Sequence, residues 1–430
     1  MRLNVTDILV GREDVEVDPP HGVIGCPDCG LISMLPRRVE RGVVHCRRCD
    51  SPLERTAGRS IDAALACSFA TFVLLFPANL LPALKLSLLG AVNQSLLISG
   101  VIGTWNQGWP VLAIVVGIET IVLPFARFGL LTAVLLAIRL KRRGRWLGPA
   151  FRYAEALDEW AMIDVFLFGA MIGYERVAAF LPVTIEAGGL CVIATALLTL
   201  VTRASLERRA IWRAIAPDAR ALPPDALACT ACDMVVPGAH EGDRCPRCRE
   251  RLFRSRPFGT MRALALAFAG FALYPIAYLY PMEISERIGM ANPYTIMTGV
   301  FKLLDAGLWF FAVVIFVASV MIPLLKLFAL SWFAISVHHG STSRLRLKTR
   351  LHRLVKLIGR WSHIDPFTVT VFMPILHLPG YLAVLVGKAM PAFLAVVVVT
   401  MFAADLFDSR ALWARAVESG KVLRTGEVSG

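Results

Sequence analysis

Charge is scarce in this chain of 430 residues. Only 18% are Asp, Glu, Lys or Arg, 56% are hydrophobic, and the mean hydropathy is +0.62. Soluble domains carry about 25% charge and about 45–50% apolar residues, so a water-soluble globular protein is excluded and an integral membrane protein is implied. Cysteine is sparse as well. Eight of the ten cysteines sit in CxxC pairs, which is no disulfide framework and points to metal thiolates in a reducing compartment. Cys67 and Cys191 lie in apolar runs and read as small core or lipid-facing residues. There is no GxxxxGK[ST] loop, so any ATP use falls to another chain, and no HExxH. The first 21 residues lack a basic-then-apolar pattern, so no cleaved leader is expected. Acidic residues are outnumbered 32 to 45, for a net charge of +13. The Lys and Arg residues cluster beside apolar runs, which fits cytoplasmic loops. No basic stripe with interleaved aromatics is present, so nucleic acid is not an expected partner.

What is present is present twice. Cys26, Cys29, Cys46 and Cys49 form one set, and Cys229, Cys232, Cys245 and Cys248 another. Cys49 to Pro82 and Cys248 to Pro281 are both 33 residues, and Pro82 to Pro124 and Pro281 to Pro323 are both 42. Trp160 and Asp164, inside EWAMIDVF, answer to Trp361 and Asp365, inside RWSHIDPF. The chain is therefore two copies of one unit, a cysteine module followed by a long apolar block. Two CxxC knuckles aim four thiolates at one point, as tetrahedral zinc requires, which gives a zinc-ribbon or rubredoxin-like module. Iron is the runner-up, because the same ligands accept it. A closed four-thiolate site leaves no position for chemistry, so the two ions read as structural, supplying folding energy to modules with little core of their own.

The expected fold is mainly α: a polytopic membrane protein in which a zinc ribbon plus a four-helix transmembrane bundle is tandemly duplicated. Runs of about twenty apolar residues give about eight spans. These are 61–84, 111–138, 162–181 and 183–201 in copy one, and 261–282, 308–337, 366–386 and 389–407 in copy two. The expected division is a tail (1–21), zinc ribbon 1 (22–56), bundle 1 (57–215), zinc ribbon 2 (216–255), bundle 2 (256–415) and a second tail (416–430). Basic segments at Lys141–Arg145 and around Arg344–Arg360 put the zinc modules and both termini in the cytoplasm, with the copies as parallel repeats. The segments 85–110 and 283–307 lie on the opposite side as short hairpins or amphipathic segments.

Ionisable residues at membrane depth are costly and are functional candidates by default. Arg127 follows Pro124 by three residues, and Lys326 follows Pro323 by three, so each second span has a proline-broken helix with a cation beside the break. Lys326 is expected to pair with Asp365. Ser319 shares its helix face and Thr400 its depth, giving a transport polar cluster of Ser319, Lys326, Asp365 and Thr400. Arg127 and Asp164 are the copy-one counterparts. Glu119 has no match in copy two, and His363 stands where copy one has Met162. The plain alternative is that these charges only hold helices together. Trp160 and Trp361 read as interfacial anchors, Pro82 and Pro281 as helix terminators, and His338, His339 and His352 as solvated in a basic loop.

The doubled CxxC modules, the LLP and LYP ends of the first spans, IPLLKLF in the second span, and above all WAMIDVF and WSHIDPF resemble the paraquat-inducible protein A family, over about residues 22–415. The resemblance implies a non-enzymatic Gram-negative inner-membrane protein. It would load phospholipid into, or unload it from, a tunnel built by a periplasmic MCE-domain partner between inner and outer membranes, and so maintain envelope integrity. The competing readings are a membrane redox component and a zinc-dependent assembly factor or sensor without transport activity.

Overall fold

The structure is a computed structural model that describes residues 22–35, 42–56, 61–88, 91–178, 181–219, 226–287, 290–364, 366–369 and 382–418. Among these, six helices are long and apolar enough to cross a membrane: Ile61–Leu80, Pro110–Arg139, Ala187–Ser205, Gly259–Leu279, Trp309–His338 and Ala389–Glu418. In copy one, α1 (Ile61–Leu80) ends just before Pro82, as expected of a terminating proline, and leads into the hairpin β5 (Leu84–Leu88) and β6 (Ala91–Ser95). A short helix, α2 (Leu97–Asn106), follows. The second span then returns as α3 (Pro110–Gly117), a π turn (Ile118–Val122) and α4 (Leu123–Arg139). Copy two repeats this order with α9 (Gly259–Leu279), β10 (Glu283–Arg287), β11 (Met290–Tyr294), α10 (Ile296–Asp305), α11 (Trp309–Ile315), a π turn (Phe316–Met321) and α12 (Ile322–His338). The segments expected as hairpins or amphipathic helices are thus both, in series. The breaks expected at Pro124 and Pro323 are π turns: each helix continues, widened just before the proline, where the Leu123 N–H donates five residues back to the Ile118 carbonyl and the Ile322 N–H to that of Val317.

The count of eight spans is not reproduced. The third run of copy one is α6 (Ile163–Ala178), 16 residues and so about 24 Å long, short of the roughly 20 residues a span needs. Residues given to the fourth span form a strand instead, β7 (Val183–Ile185), which pairs with β5 in a sheet of order β6-β5-β7. Only then does α7 (Ala187–Ser205) begin. In copy two, β12 (Leu382–Val386) pairs with β10 in the same way, ahead of α14 (Ala389–Leu406). Most of the third run there lies outside the described residues. Glycine is required where the chain passes the end of each first span. A Cβ on Gly188 would meet the Leu81 carbonyl oxygen at 2.2 Å, and one on Gly387 would meet that of Pro281 at 2.2 Å.

The copies meet through their matching WxxIDxF elements. Phe166 packs edge-on against Phe367, with ring centroids 5.6 Å apart. Trp160 lies against Phe402 of copy two, and Trp361 against Phe168 of copy one, with centroids 4.6 and 5.0 Å apart. Both tryptophans therefore pack between the copies rather than serving only as interfacial anchors. Thr368 Oγ1 donates to the Gly169 carbonyl at 3.1 Å across the same joint. The meeting of the equivalent residues Phe166 and Phe367 is what two copies related by a pseudo-two-fold axis produce, while the tryptophans reach different elements of the opposite copy. On the other side, Gln107 of copy one closes the free edge of β12: its amide donates to the Val384 carbonyl at 3.2 Å and accepts from the Val386 N–H at 2.8 Å.

The cysteine modules ride on the opposite copies. The first module (β1 Gly22–Gly25, β2 Ile32–Leu35, β3 Gly42–His45, β4 Pro52–Thr56) shares its core with Ala263, Leu330, Phe333, Phe407 and Trp413 of copy two. The second (β8 Ala226–Ala228, β9 Val235–Pro237) shares its core with Leu131, Leu135, Phe151 and Trp212 of copy one. The modules also touch each other, Val23 bridging to Ala219 and Ile24 to Met234. At Gly148, in α5 (Leu147–Leu157), module two lies so close that a Cβ would sit 1.8 Å from the Arg247 carbonyl oxygen. Gly148→Ala is expected to destabilise the protein by about 1–3 kcal/mol through forced separation of that contact. Gly299→Ala, in α10 with nothing within 4 Å of the new methyl group, is expected to be neutral or to stabilise by about 0.5–1 kcal/mol. Thermal melting of both variants checks this; equal melting temperatures would show that module two is not docked on α5.

Candidate functional site

The eight CxxC cysteines come together as two buried quartets, each with its sulfurs within 4.8 Å of one another. The knuckles share one construction. After each second cysteine the backbone turns left-handed, at Gly30, Asp50, Asp233 and Arg249, with φ between +58° and +70°. The N–H of the first cysteine is held in turn, Cys26 by the Leu31 carbonyl, Cys46 by Ser51, Cys229 by Met234 and Cys245 by Glu250, at 2.7 to 2.9 Å. The nearest Sγ pairs are 3.5 to 3.6 Å apart, far outside disulfide bonding. Four sulfurs about 2.3 Å from one ion at tetrahedral corners stand about 3.8 Å apart, so the donor set fits a four-thiolate metal.

The expected transport cluster is only partly visible. Asp365 lies outside the described residues. Ser319 sits in the second π turn, fully buried, its hydroxyl without a partner among the described residues. Thr400 donates to its own helix at Val397 O, 2.9 Å away. Lys326 is 1% exposed and donates to the Gly359 carbonyl at 3.2 Å. Of these three, only Lys326 lines a large cavity. In copy one, Arg127 pairs with Asp158 rather than with Asp164. The two contacts are equivalent: counted from Trp160 and Trp361, Asp158 and Gly359 occupy the same position. The same backbone position receives the buried cation in both copies, with a carboxylate in one and a carbonyl in the other.

Sequence reasoning missed the seam that these residues belong to. Arg203, at the end of α7, donates to Asp158 at 2.8 Å and to Asp164 at 2.6 Å. Asp164 also faces Arg360 of copy two at 3.3 Å, and Lys356 of copy two bridges Glu159 of copy one, at 2.9 Å, and Asp405, at 3.2 Å. Charge thus alternates in sign across the joint between the copies, on the module side. Cavities of about 530 and 880 Å³ border it, both lined by Asp158, Glu159, Arg203, Arg256, Lys356 and Asp405. Burial raises the Asp158 carboxyl, but the Arg127 and Arg203 guanidiniums outweigh it and hold the group below the usual carboxylate range. Burial, followed by the Asp405 carboxyl, pushes Glu159 up to about 7. The signal in the sequence was the charged pair Asp158-Glu159 immediately before WAMID. A second buried pair joins the copies deeper in, where Glu119 faces His363 at 3.3 Å. Both residues were visible in the sequence as departures from the repeat.

His352, expected in solvent, is buried in α13 (Leu345–Gly359), whose inward positions Leu345, Lys348, Thr349, His352, Val355 and Gly359 follow helical spacing. One ring nitrogen, Nε2, lies 3.3 Å from the Ala404 carbonyl. Burial, reinforced by the neighbouring Lys356 charge, holds His352 down at about 4.

A multi-pass membrane protein, tandemly duplicated, with two four-thiolate modules and a charged joint between its copies, is the class that this fold and site define. The chain belongs to the paraquat-inducible protein A family, whose model matches residues 61–216 and 260–417. It is 27% identical to the intermembrane transport protein PqiA of Escherichia coli (strain K12) over 411 residues, 92% of this chain and 96% of that one. It is 28% identical to the lipophilic envelope-spanning tunnel protein A of the same strain over 397 residues, 92% of each chain. A probable intermembrane transport protein of Haemophilus influenzae is 25% identical over 413 residues. No solved structure matches the chain.

Two predictions follow from the seam and from α13. Arg203→Met leaves Asp158 and Asp164 short of their cation and is expected to cost about 3 kcal/mol, as breaking a buried pair does. Arg139→Met, which breaks the exposed Arg139–Asp62 pair, is expected to cost less than about 1 kcal/mol. Denaturation of both variants in detergent measures the difference, and a matching small loss in both would show the seam to be solvated. For His352, the folded value lies below the ordinary value of about 6.5, so the unfolded chain binds the extra proton first as pH falls. The stabilising effect of the neutral ring is complete above about pH 6.5 and about 3 kcal/mol of it is lost by pH 4. His352→Gln keeps an amide donor without titrating, so its melting temperature is expected to fall less steeply than that of the parent over this range. Parallel slopes would place the imidazole in water.

Proposed function

We propose that this chain is the inner-membrane component of an intermembrane lipid-transport system, loading phospholipid into, or unloading it from, a periplasmic MCE-domain tunnel that leads to the outer membrane. The observation that carries this reading is similarity along 92% of the chain to relatives named for intermembrane transport and for a lipophilic envelope-spanning tunnel. Three features support it. Spans such as α1 and α9 present large apolar side chains outward, including Phe69, Phe76 and Phe268, as lipid contact requires. The copies meet at a joint bordered by cavities, where a duplicated transporter places its working site. The eight clustered thiolates sit in closed quartets, which suits a carrier rather than an enzyme.

In this reading the basic segments keep both modules and both termini in the cytoplasm, and the two three-stranded sheets face the periplasmic partner. In the same reading the third apolar run of each copy, short as α6 is in copy one, completes eight crossings, four per bundle, with each bundle preceded by its ribbon. Cys26, Cys29, Cys46 and Cys49, and Cys229, Cys232, Cys245 and Cys248, hold one zinc ion per ribbon. The ion supplies cross-linking of the ribbon and no reaction step. Ser319, Lys326 and Thr400, with Asp365, form the polar interior of bundle two through which transport is driven, and Arg127 and Asp164 hold the corresponding place in bundle one.

Native mass spectrometry of the full chain released gently from detergent tests this reading, because it weighs metal and lipid together. Two zinc ions with retained phospholipid are expected. Two zinc ions and no lipid in any preparation would favour a sensor or assembly factor, and iron in the quartets a redox component.

A further inference from the structure

Glu119 and His363 stand apart from the charged seam. Glu119 lies in the π turn of the second span of copy one, and His363 in the 3₁₀ turn Arg360–His363 of copy two. Carboxylate Oε1 and ring Nε2 are 3.3 Å apart, and the side chains are 3% and 0% exposed. Neither carboxylate oxygen and neither ring nitrogen has a hydrogen-bond partner among the described residues. The hydroxyl of Ser362, next in the chain, is equally buried and unpartnered, and the Phe367 ring stacks over the imidazole at 6.0 Å. The π turn of copy two, with the unpartnered Ser319 hydroxyl, packs against the same 3₁₀ turn. A buried polar group without partners is unfavourable and calls for an explanation. Among the described residues, these two titratable groups, one from each copy, have only each other.

The described charges around the pair are engaged elsewhere, and the nearest unpaired cation, Lys326, donates to the Gly359 carbonyl at 3.2 Å. On the elements packed around the pair, Arg127, Asp164, Arg360, Lys356 and Asp405 are paired within the seam, and Arg353 pairs with Asp28. His352 is engaged at the Ala404 carbonyl, while Tyr174 and Glu175 lie towards the far end of α6. The pair therefore sets its own proton count. With one proton between them, as carboxylate and imidazolium or as carboxylic acid and neutral imidazole, the two groups are neutral together, the state a dry interior favours.

We propose that Glu119 and His363 form a proton-binding site between the two copies, and that uptake of a second proton loosens the contact between them. The second proton, taken from water, leaves an O–H on Glu119 and an imidazolium on His363, so the site carries one positive charge and the charge attraction between these two side chains is lost. No bond other than that to the proton is made, and no oxidant or reductant is needed. The π turn is a suitable place for it, since such turns interrupt the regular helix and recur at functional sites. The inference does not rest on what the protein transports.

Hydrogen–deuterium exchange of the full chain in nanodiscs, corrected for intrinsic rates and read from about pH 7.5 to about pH 5, tests it. Protection of peptides covering Ile118–Val122 and Arg360–His363 is expected to fall about ten-fold across that range in the unmodified chain. Glu119→Gln, which removes the carboxylate that would share the proton, is expected to lose most of the pH dependence, and His363→Gln to lose it altogether. Unchanged protection in module peptides 42–56 and 226–252 certifies that each variant is folded. Protection in the unmodified chain that does not change with pH overturns the proposal without any variant. A pH dependence that persists at full size in either folded variant also overturns it, because another group then carries the titration.

Discussion

Asp164 is 5% exposed, and a carboxylate that deep must be matched by cations or it will not stay charged. It takes one arginine from each copy: Arg203 from its own and Arg360 from the other. Much of the remaining architecture depends on that division. Neither bundle can complete the site alone, so separating the copies would expose or orphan a charge rather than merely uncover apolar surface. Asp158 and Arg127 extend the same chain of charges into copy one, and Lys356, Glu159 and Asp405 extend it into copy two. The aromatic contacts of Trp160, Trp361, Phe166 and Phe367 then close around it from both sides.

The cysteine modules enforce the same joint from outside the membrane helices. Module one packs on copy two, and module two, which follows copy one in the chain, packs back on copy one. Arg410, near the start of the last helix, α15 (Arg410–Glu418), donates to the carbonyls of Pro27 in module one and of Ala228 and Cys229 in module two, at 2.9 to 3.3 Å. Arg346, in α13 of copy two, donates to the Arg48 carbonyl at 2.7 Å. These are guanidinium contacts to knuckle backbone, so they exist only when the knuckles are folded. A metal that closes the knuckles would therefore fix not only each ribbon but also the relative placement of the two bundles.

Much of this was legible in the sequence, and the exceptions have definite causes. The quartets follow from CxxC spacing because ligand geometry is local. The repeat and the ends of the first spans follow from prolines at fixed intervals. The partner of Arg127 did not follow, because aligning Arg127 and Asp164 with Lys326 and Asp365 placed the carboxylate six residues too late. The turn after α5 brings Asp158 to the guanidinium first. His352 was misread because the density of Arg and Lys in α13 hides an inward face whose helical spacing is otherwise regular. The docking of module one on copy two rests on arginines meeting backbone carbonyls hundreds of residues away, and no periodicity records that. The strand Val183–Ile185 was absorbed into a span because three β-compatible residues beside an apolar helix carry no pattern of their own.

The duplication kept one geometry and changed its chemistry. In copy one a guanidinium meets a carboxylate at position 158; in copy two an ammonium meets the carbonyl of Gly359 at the matching place. An ion pair adds charge attraction to its hydrogen bonds, which an ammonium on a neutral carbonyl lacks, and a guanidinium is held by a planar fork where an ammonium rotates freely. The cation of copy one is consequently pinned to the joint by its charge. That of copy two keeps its place by packing and a single carbonyl, beside a cavity that also holds Lys356 and Asp405. Two halves that began alike thus differ in how firmly each holds its buried charge. The buried cation of copy two is held by a neutral carbonyl, against that of copy one, whose charges are locked in pairs.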